Sequence, residues 1–410
     1  KNQKKLEMLK EGKIPFYEPE INLFLSKAIK KKKISFHKVI SDIEDEVEFI
    51  FVAVPTPTKN GKIDSQFLKS AIKEAMITIN KNAKKTMLII KSTIAPGITE
   101  KVIIPMLNKS NKKLGEDFFL AINPEFLREG FAIQDQLKPH VVVIGCQDKT
   151  TKEILKKFYK KIYKNDVKIV FTNYSTAELI KYSNNAFLAT KISFINSISN
   201  LCQKIPGANI DDVAKAIGVD PRIGNLFLKA GPGFGGSCLP KDLNSFISVF
   251  NNYGIKPTLF NGVKNVNDYQ LNQIFLILQK KLKNFNGKTI SILGMSFKEN
   301  SDDLRESRSI LLIKKLLDLN CKIKVYDSLA IEKTINLFKD SIEYCTSISD
   351  CSNNSDCLII MNADEEFKKI SINEISNMNH KFILDTRRIL KISNVDYHAL
   401  GINHSKNLKT

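Results

Sequence analysis

Arginine is scarce in this chain: six of its 63 cationic side chains are arginines, at 128, 222, 305, 308, 387 and 388. The net charge of +20 therefore rests on scattered lysines. With Asn and Ile also abundant, that excess reads as coding bias rather than a nucleic-acid surface. The densest run, Lys30 to Lys33, reads as a solvated helix end, and an anionic small substrate remains compatible with the field. The seven cysteines form no CxxC pair and the five histidines no HExxH. Neither a disulfide framework nor a zinc site is supported, no metal is expected, and a reducing cytoplasmic location follows. No apolar run reaches the roughly 18 residues of a membrane span, and no signal-peptide pattern opens the sequence. GxGxxG is missing as well, and the chain starts with Lys1 rather than Met, so the expectation is that something is missing upstream.

What is present is the pattern of an α/β enzyme of two or three domains. Short apolar runs at Val47–Val54, Thr86–Lys91, Phe118–Ile122, Val141–Ile144 and Val167–Phe171 read as buried strands. Amphipathic stretches at 65–81, 97–109 and 151–164 read as the helices between them, which argues a parallel sheet. A helical pattern without Pro or Gly then runs from about Ser175 to Gln203, long enough for a connecting spine and a dimer surface, and helices continue to about 283. The α/β pattern restarts with a strand at Thr289–Leu293, a helix at Ser309–Leu319 and a strand at Lys322–Tyr326 ending on Asp327. The expected domains are 1–172, 173–283 and 284–410, the first and third being doubly wound.

Residues 231–242, GPGFGGSCLPKD, carry the most chemistry. Four glycines let the backbone approach a ligand, and one thiol, Cys238, arrives where a helix can begin, with Ser237 as the expected N-cap and Pro240 in the first turn. The positive helix end and Lys241 favour thiolate. Asp242, four residues on, offers a carboxylate for protons or water on the same face. A buried structural cysteine is the plainer alternative, but the whole pattern points to a nucleophile. Glu125 and Glu129 share a face if 123–130 turns helically, to orient a water or a sugar hydroxyl; a solvated helix start is the plainer reading. Lys181 and Asn185 repeat the four-residue spacing in the long helix, where the lysine either snorkels or stands beside a developing oxyanion. Ser92-Thr93 closes a strand at a ligand-lining corner. Lys298 and Arg305 lie in a strand-to-helix loop that can hold a diphosphate or carboxylate.

Eight segments in order give the chain its resemblance: VAVPTP at 52–57, KSTIAPG at 91–97, NPEFLREG at 123–130, KYSNNAFLATKISFINSI at 181–198, RIG at 222–224, GPGFGGSCLPKD at 231–242, GMSFKENSDDLRES at 294–307 and LDTRR at 384–388. Over nearly its whole length the chain resembles the UDP-glucose/GDP-mannose dehydrogenase family. The resemblance implies two Rossmann-like domains joined by a long central helix used in a homodimer, the first binding NAD and the second the sugar nucleotide. It implies a four-electron oxidation of the sugar C6 alcohol with two NAD per sugar, through a thiohemiacetal and a thioester on Cys238. Lys181 would stabilise the oxyanion, Asp242, Glu125 and Thr93 would manage protons and the hydrolytic water, and Asn185 would position the sugar. Matching positions put Phe126, Leu127, Arg222, Phe227, Gly235, Lys298 and Arg387 on the substrate as well, with Arg222 reaching toward a partner subunit, and Thr93, Glu129 and Arg305 on NAD.

FLREG followed by AIQD resembles the glucose branch, so UDP-glucose is the expected substrate, with GDP-mannose and UDP-N-acetylhexosamines as alternatives. The family's opening β-α-β with its GxGxxG turn has no counterpart here: the sequence begins after it, about 30 residues in by the geometry of that fingerprint. Two readings follow, a dehydrogenase whose first residues lie upstream and a non-catalytic remnant that binds a sugar nucleotide. Retention of Cys238, Asp242, Lys181, Asn185 and Glu125 favours the first.

Overall fold

The computed structural model describes residues 2–43, 46–59, 62–164 and 166–403. Lys1 and residues 404–410, the outer ends of the first and third expected domains, lie outside the described residues. The chain forms two compact units, residues 1–184 with 244–255 and residues 185–243 with 256–410.

In the first unit the strands are β1 (Phe49–Val52), the short hairpin β2 (Thr58–Lys59) and β3 (Lys62–Ile63), β4 (Thr86–Ile90), β5 (Phe118–Ile122), β6 (Val142–Gly145) and β7 (Ile169–Thr172). The helices are α1 (Gln3–Lys10), α2 (Ile21–Lys30), α3 (Gln66–Lys81), α4 (Ile104–Leu107), α5 (Ala132–Leu137), α6 (Lys149–Tyr163) and the 29-residue α7 (Tyr174–Cys202), whose residues from 185 belong to the second unit. The sheet order is β1-β4-β5-β6-β7. Every residue of β4 and β5 is buried, because apolar side chains leave both faces of the sheet. Leu88 and Ile90 join Leu68, Ile72 and Ile79 of α3 on one face. Met87 and Ile89 join Leu155 and Tyr159 of α6 on the other. α6 starts where Asp148 accepts from the Thr151 N–H at 2.7 Å, an N-cap. Lys30 to Lys33, at and beyond the end of α2, are exposed as expected.

The sheet departs from the all-parallel expectation at one place. β1-β4-β5 and β6-β7 pair parallel, but β5 and β6 pair antiparallel through Ile122 and Gly145. The connection between them is spent on an extended loop at 123–131 and the six-residue α5. That is no crossover helix, so β6 returns in the opposite direction.

In the second unit α8 (Ile210–Gly218), α9 (Leu239–Asn252, whose residues from 244 belong to the first unit) and α10 (Thr258–Leu282) precede six parallel strands. These are β8 (Thr289–Leu293), β9 (Lys322–Tyr326), β10 (Glu343–Tyr344), β11 (Cys357–Ile360), β12 (Phe382–Asp385) and β13 (Asp396–Ala399). Helices α11 (Arg308–Leu317), α12 (Ile331–Phe338) and α13 (Ile348–Ser352) connect them. The sheet order is β10-β9-β8-β11-β12-β13. Numbered from β8, that is 3-2-1-4-5-6, the Rossmann order, and ligands of such sheets bind beyond the carboxyl ends of the strands where the order reverses. Asp327, after β9, ties the neighbouring turns together. It is 2% exposed, and its carboxylate accepts from the N–H groups of Met295, Ser296, Leu329 and Ala330. No helix of the described residues is long and apolar enough to cross a membrane.

Candidate active site

The glycine-rich segment is held within the second unit against the loop that follows β8. Gly236 N–H donates to the Arg305 carbonyl at 2.9 Å. Gly236 has φ +82°, and a Cβ there would stand 2.6 Å from the Phe297 ring. Gly235 faces the Glu306 carbonyl, which leaves no room for a side chain. Phe234, beside them, donates its N–H to Asn267 Oδ1 at 2.7 Å. The segment therefore delivers Cys238 from a fixed platform.

α9 begins at Leu239, and the Cys238 carbonyl accepts the first helical bond from Asp242 N at 2.8 Å. Cys238 itself thus occupies the N-cap position expected of Ser237, whose Oγ lies 3.5 Å from Cys238 Sγ. The Cys238 thiol is exposed. One turn on, Asp242 is 2% exposed. Its Oδ2 accepts from Asn185 Nδ2 at 2.7 Å. Lys241 Nζ lies 2.9 Å from Oδ1, yet Oδ1 accepts no hydrogen bond among the described residues. A buried carboxylate oxygen with an unused lone pair, beside an exposed thiol, suits an incoming water or hydroxyl.

In the first unit, Lys181 of α7 does not snorkel. It is 4% exposed, and its Nζ donates to the Glu125 carbonyl at 2.6 Å. Glu125 Oε1 lies 3.1 Å from the same Nζ, and the Phe126 ring centroid 5.3 Å away. Glu125 Oε2 accepts from Leu127 N at 2.7 Å. Residues 123–128 are not helical, so Glu125 and Glu129 do not share a helix face. Pro124 and this side-chain-to-backbone turn offer the loop an alternative to a helical start. Thr93 is half-buried just after β4.

Sequence reasoning missed Lys91, the residue before Ser92-Thr93. Its Nζ donates to Asn123 Oδ1 at 3.1 Å, and burial pushes its pKa down to about 8, with Lys181 adding to the shift and Glu125 opposing it. A lysine closing an otherwise fully buried strand was the available signal. Asp385, at the end of β12, was missed too. Its carboxylate accepts from the N–H groups of Arg387, Arg388, Ile389 and Leu390 and from the Tyr397 hydroxyl, and so shapes the LDTRR turn.

The remaining expected residues belong to the second unit. Arg222 is exposed and holds Asp220 through two nitrogens at 3.0 and 2.6 Å. Phe227 is half-buried at φ +64°. Lys298 lies 5.9 Å from the Phe297 ring centroid. Arg305 is exposed and forked onto Asp303 at 2.9 and 2.6 Å. The Arg387 guanidinium donates to the Met361 carbonyl at 2.9 Å and packs where a Cβ on Gly231 would fall; burial lowers its pKa. Glu343, Cys345 and Asp350 bring ligand atoms within 4.8 Å of one another, but Lys324 Nζ, 3.1 Å from Glu343, already supplies the positive charge there.

Three models of one family match in order: the NAD binding domain of the UDP-glucose/GDP-mannose dehydrogenase family over residues 1–163, its central domain over 175–269 and its UDP binding domain over 291–392. A UDP-glucose 6-dehydrogenase of Rickettsia bellii is 36% identical over 98% of this chain and 92% of its own. One of Haloferax volcanii is 35% identical over 96% and 91%. The solved UDP-glucose dehydrogenase of Pyrobaculum islandicum superposes with a TM-score of 0.89 at 30% identity, covering 98% of this chain and 90% of that one. The chain belongs to the UDP-glucose/GDP-mannose dehydrogenase family. It is an NAD-dependent nucleotide-sugar dehydrogenase with Rossmann-like domains.

NAD fits the donor chemistry that is present. Thr93 and Glu129, a hydroxyl and a carboxylate, are half-buried on loops that follow the carboxyl ends of β4 and β5, where an open α/β sheet receives a dinucleotide. No glycine-rich pyrophosphate turn occurs among the described residues of this unit.

Proposed function

We propose that the chain oxidises C6 of UDP-glucose to the carboxylate of UDP-glucuronate, through a covalent intermediate on Cys238. The observation that carries this reading is Asp242: buried, oriented by Asn185, and one helical turn beyond an exposed thiol at the start of α9.

NAD supplies the hydride acceptor, twice for each sugar. In the first oxidation the C6–H bond breaks and the hydroxyl proton leaves, with Lys181 holding the oxygen as charge develops on it. Cys238 then adds across the aldehyde: its sulfur bonds C6 and its proton ends on the carbonyl oxygen, giving the thiohemiacetal. Loss of the second C6 hydride and the hydroxyl proton leaves a thioester. Water adds to that carbonyl, the C6–S bond breaks, and carboxylate, a restored thiol and one proton result. Asp242, with an oxygen open to a donor, and Glu125 take the protons, Thr93 assists with the water, and Asn185 positions the sugar. Phe126, Leu127, Arg222, Phe227, Gly235, Lys298 and Arg387 contact the nucleotide sugar, and Glu129 and Arg305 contact NAD. UDP-glucose rather than another nucleotide sugar is supported by the relatives' names and by the FLREG-AIQD segment.

The working form we propose is a homodimer. Phe187, Phe194 and Leu201 recur every seven residues of α7 and are 64, 51 and 55% exposed, an unusual outward stripe for a helix this apolar. Seven thiols without a CxxC pair support a reducing, cytosolic setting.

The test supplies the purified protein with NAD and UDP-glucose, GDP-mannose or a UDP-N-acetylhexosamine. The expected result is two NADH per UDP-glucose consumed and slower turnover of the others. Cys238→Ala is expected to form no UDP-glucuronate and at most one NADH per active site, with the fold retained. Turnover near the parent rate in that variant rules out the thioester route.

A further inference from the structure

We propose that Lys91 is a positioning residue for the reaction proposed above, on which this inference rests: it forms one charge system with Glu125 and Lys181, and its proton sets the positive field that Lys181 presents to the reacting oxygen.

The geometry places Lys91 at the carboxyl end of β4, where an all-buried strand delivers an amine into the loop that carries Glu125. Its anchor is rigid. Asn123 Oδ1 accepts from Lys91 Nζ and from the Tyr159 hydroxyl, while Asn123 Nδ2 donates to the Val143 carbonyl at 2.7 Å. A cavity of about 40 Å³ is lined by Lys91, Asn123, Glu125, His140, Tyr159 and Tyr163, enough for a water that carries a proton to or from the amine.

The groups that face Lys91 narrow what can titrate with it. Asp135, from α5, is spent on a two-bond fork with Arg128. Tyr159 and Tyr163, from α6, are both pushed up by burial and stay neutral. His140 meets the Phe126 ring edge-on, 5.8 Å between centroids. Glu125 and Lys181 of α7 remain, and they pull Lys91 in opposite directions. Burial brings the Lys91 amine down to a pKa of about 8, so it changes protonation near that pH. Protonated, Lys91 adds a second cation beside Lys181 as negative charge develops on the sugar oxygen. Neutral, it leaves Lys181 alone, and kcat falls.

Two measurements on the full chain test this. The first needs no turnover: trace acetylation of amines with acetic anhydride across pH 6–11, read on the Lys91 peptide by mass spectrometry. The expected midpoint lies near 8 in the parent, lower in Glu125→Gln and higher in Lys181→Met. A midpoint unmoved by both substitutions overturns the inference, whatever the substrate. The second is the pH profile of kcat with NAD and UDP-glucose. Lys91→Met is expected to lose about tenfold in kcat, the scale of one nearby partly screened charge, with KM for the sugar nucleotide within twofold and no alkaline limb near 8. Lys91→Arg, always charged, is expected to keep kcat within about threefold and move the limb beyond about pH 10. Lys91→Met with the parent's profile, or Lys91→Arg folded but as slow as Lys91→Met, overturns it. A parent that leaves UDP-glucose untouched defeats the proposed function instead, and the acetylation midpoints still decide the charge coupling.

Discussion

Asn185 donates to Asp242 Oδ2 across 2.7 Å, and this bond fixes a buried carboxylate whose other oxygen accepts no hydrogen bond among the described residues. Lys241 Nζ lies 2.9 Å from that second oxygen, as an ion pair. The carboxylate is buried and oriented, with one oxygen hydrogen-bonded and the other able to accept, which suits the proton-accepting role proposed for it.

Asp242→Asn keeps the volume and the contact with Asn185 but removes the charge. Thioester hydrolysis is expected to slow by 10²-fold or more, within the range of a general base, while thioester formation continues. Rapid mixing with NAD and UDP-glucose then gives a burst of two NADH per active site followed by a slow phase, with an acyl adduct on the Cys238 peptide. A uniform slowing without a burst assigns Asp242 to an earlier step.

Lys181→Met removes the cation that contacts both the Glu125 carbonyl and its carboxylate. The expected loss in kcat is about 10²–10³-fold, the scale for one donor to a developing oxyanion, with little change in KM. The carboxylate left beside an apolar side chain also costs stability, by about 1–3 kcal/mol, readable as a lower Tm. A variant that loses stability but not kcat limits Lys181 to holding the loop at 123–128.

Much of this arrangement was legible in the sequence because the signals were local. β5, β8 and β9 occupy the residues their apolar runs indicated, and α7 its Pro- and Gly-free stretch to within one residue. Cys238, Asp242 and Lys241 are neighbours in the chain, so their meeting needed only a helix start. Legibility ended where pairing direction or distance decided. The antiparallel β5–β6 step depends on what the connection between them fails to build, which no periodicity records. Glu125 and Glu129 fit a helical spacing, yet a turn closed by Leu127 N–H took precedence. Lys91 joins Glu125 and Lys181 across 34 and 90 positions of chain, a relation that only the fold creates.

Gly236→Ala tests whether the glycine-rich segment is a packed platform. At φ +82° with a Cβ 2.6 Å from the Phe297 ring, alanine meets both backbone strain and overpacking, about 2–4 kcal/mol together. A domain of this size loses about 2–4 °C in Tm for each kcal/mol, so a drop near 10 °C is expected by calorimetry. Phe297→Ala in the same chain makes room for the methyl and should recover part of the loss caused by Gly236→Ala, judged against Phe297→Ala alone. No coupling between the two changes places the segment away from the ring.

Asp364, in the second unit, gives the protein a stability term that weakens with rising pH. Burial, with Asp327 and Glu299 nearby, raises its pKa to about 6, against bonds from Asn300 N–H and Asn362 that favour the charge. The folded state therefore holds this proton more tightly than the unfolded chain does. Its contribution is present in full below about pH 4, the ordinary range of an aspartate, and is lost as the pH climbs through about 6. Asp364→Asn carries no titrating group and escapes that loss. Relative to the parent, the variant's Tm is expected to rise between pH 4 and 7 and then level off, measured in one buffer series at constant ionic strength. A Tm difference that stays flat across that range assigns Asp364 an ordinary, solvated carboxylate.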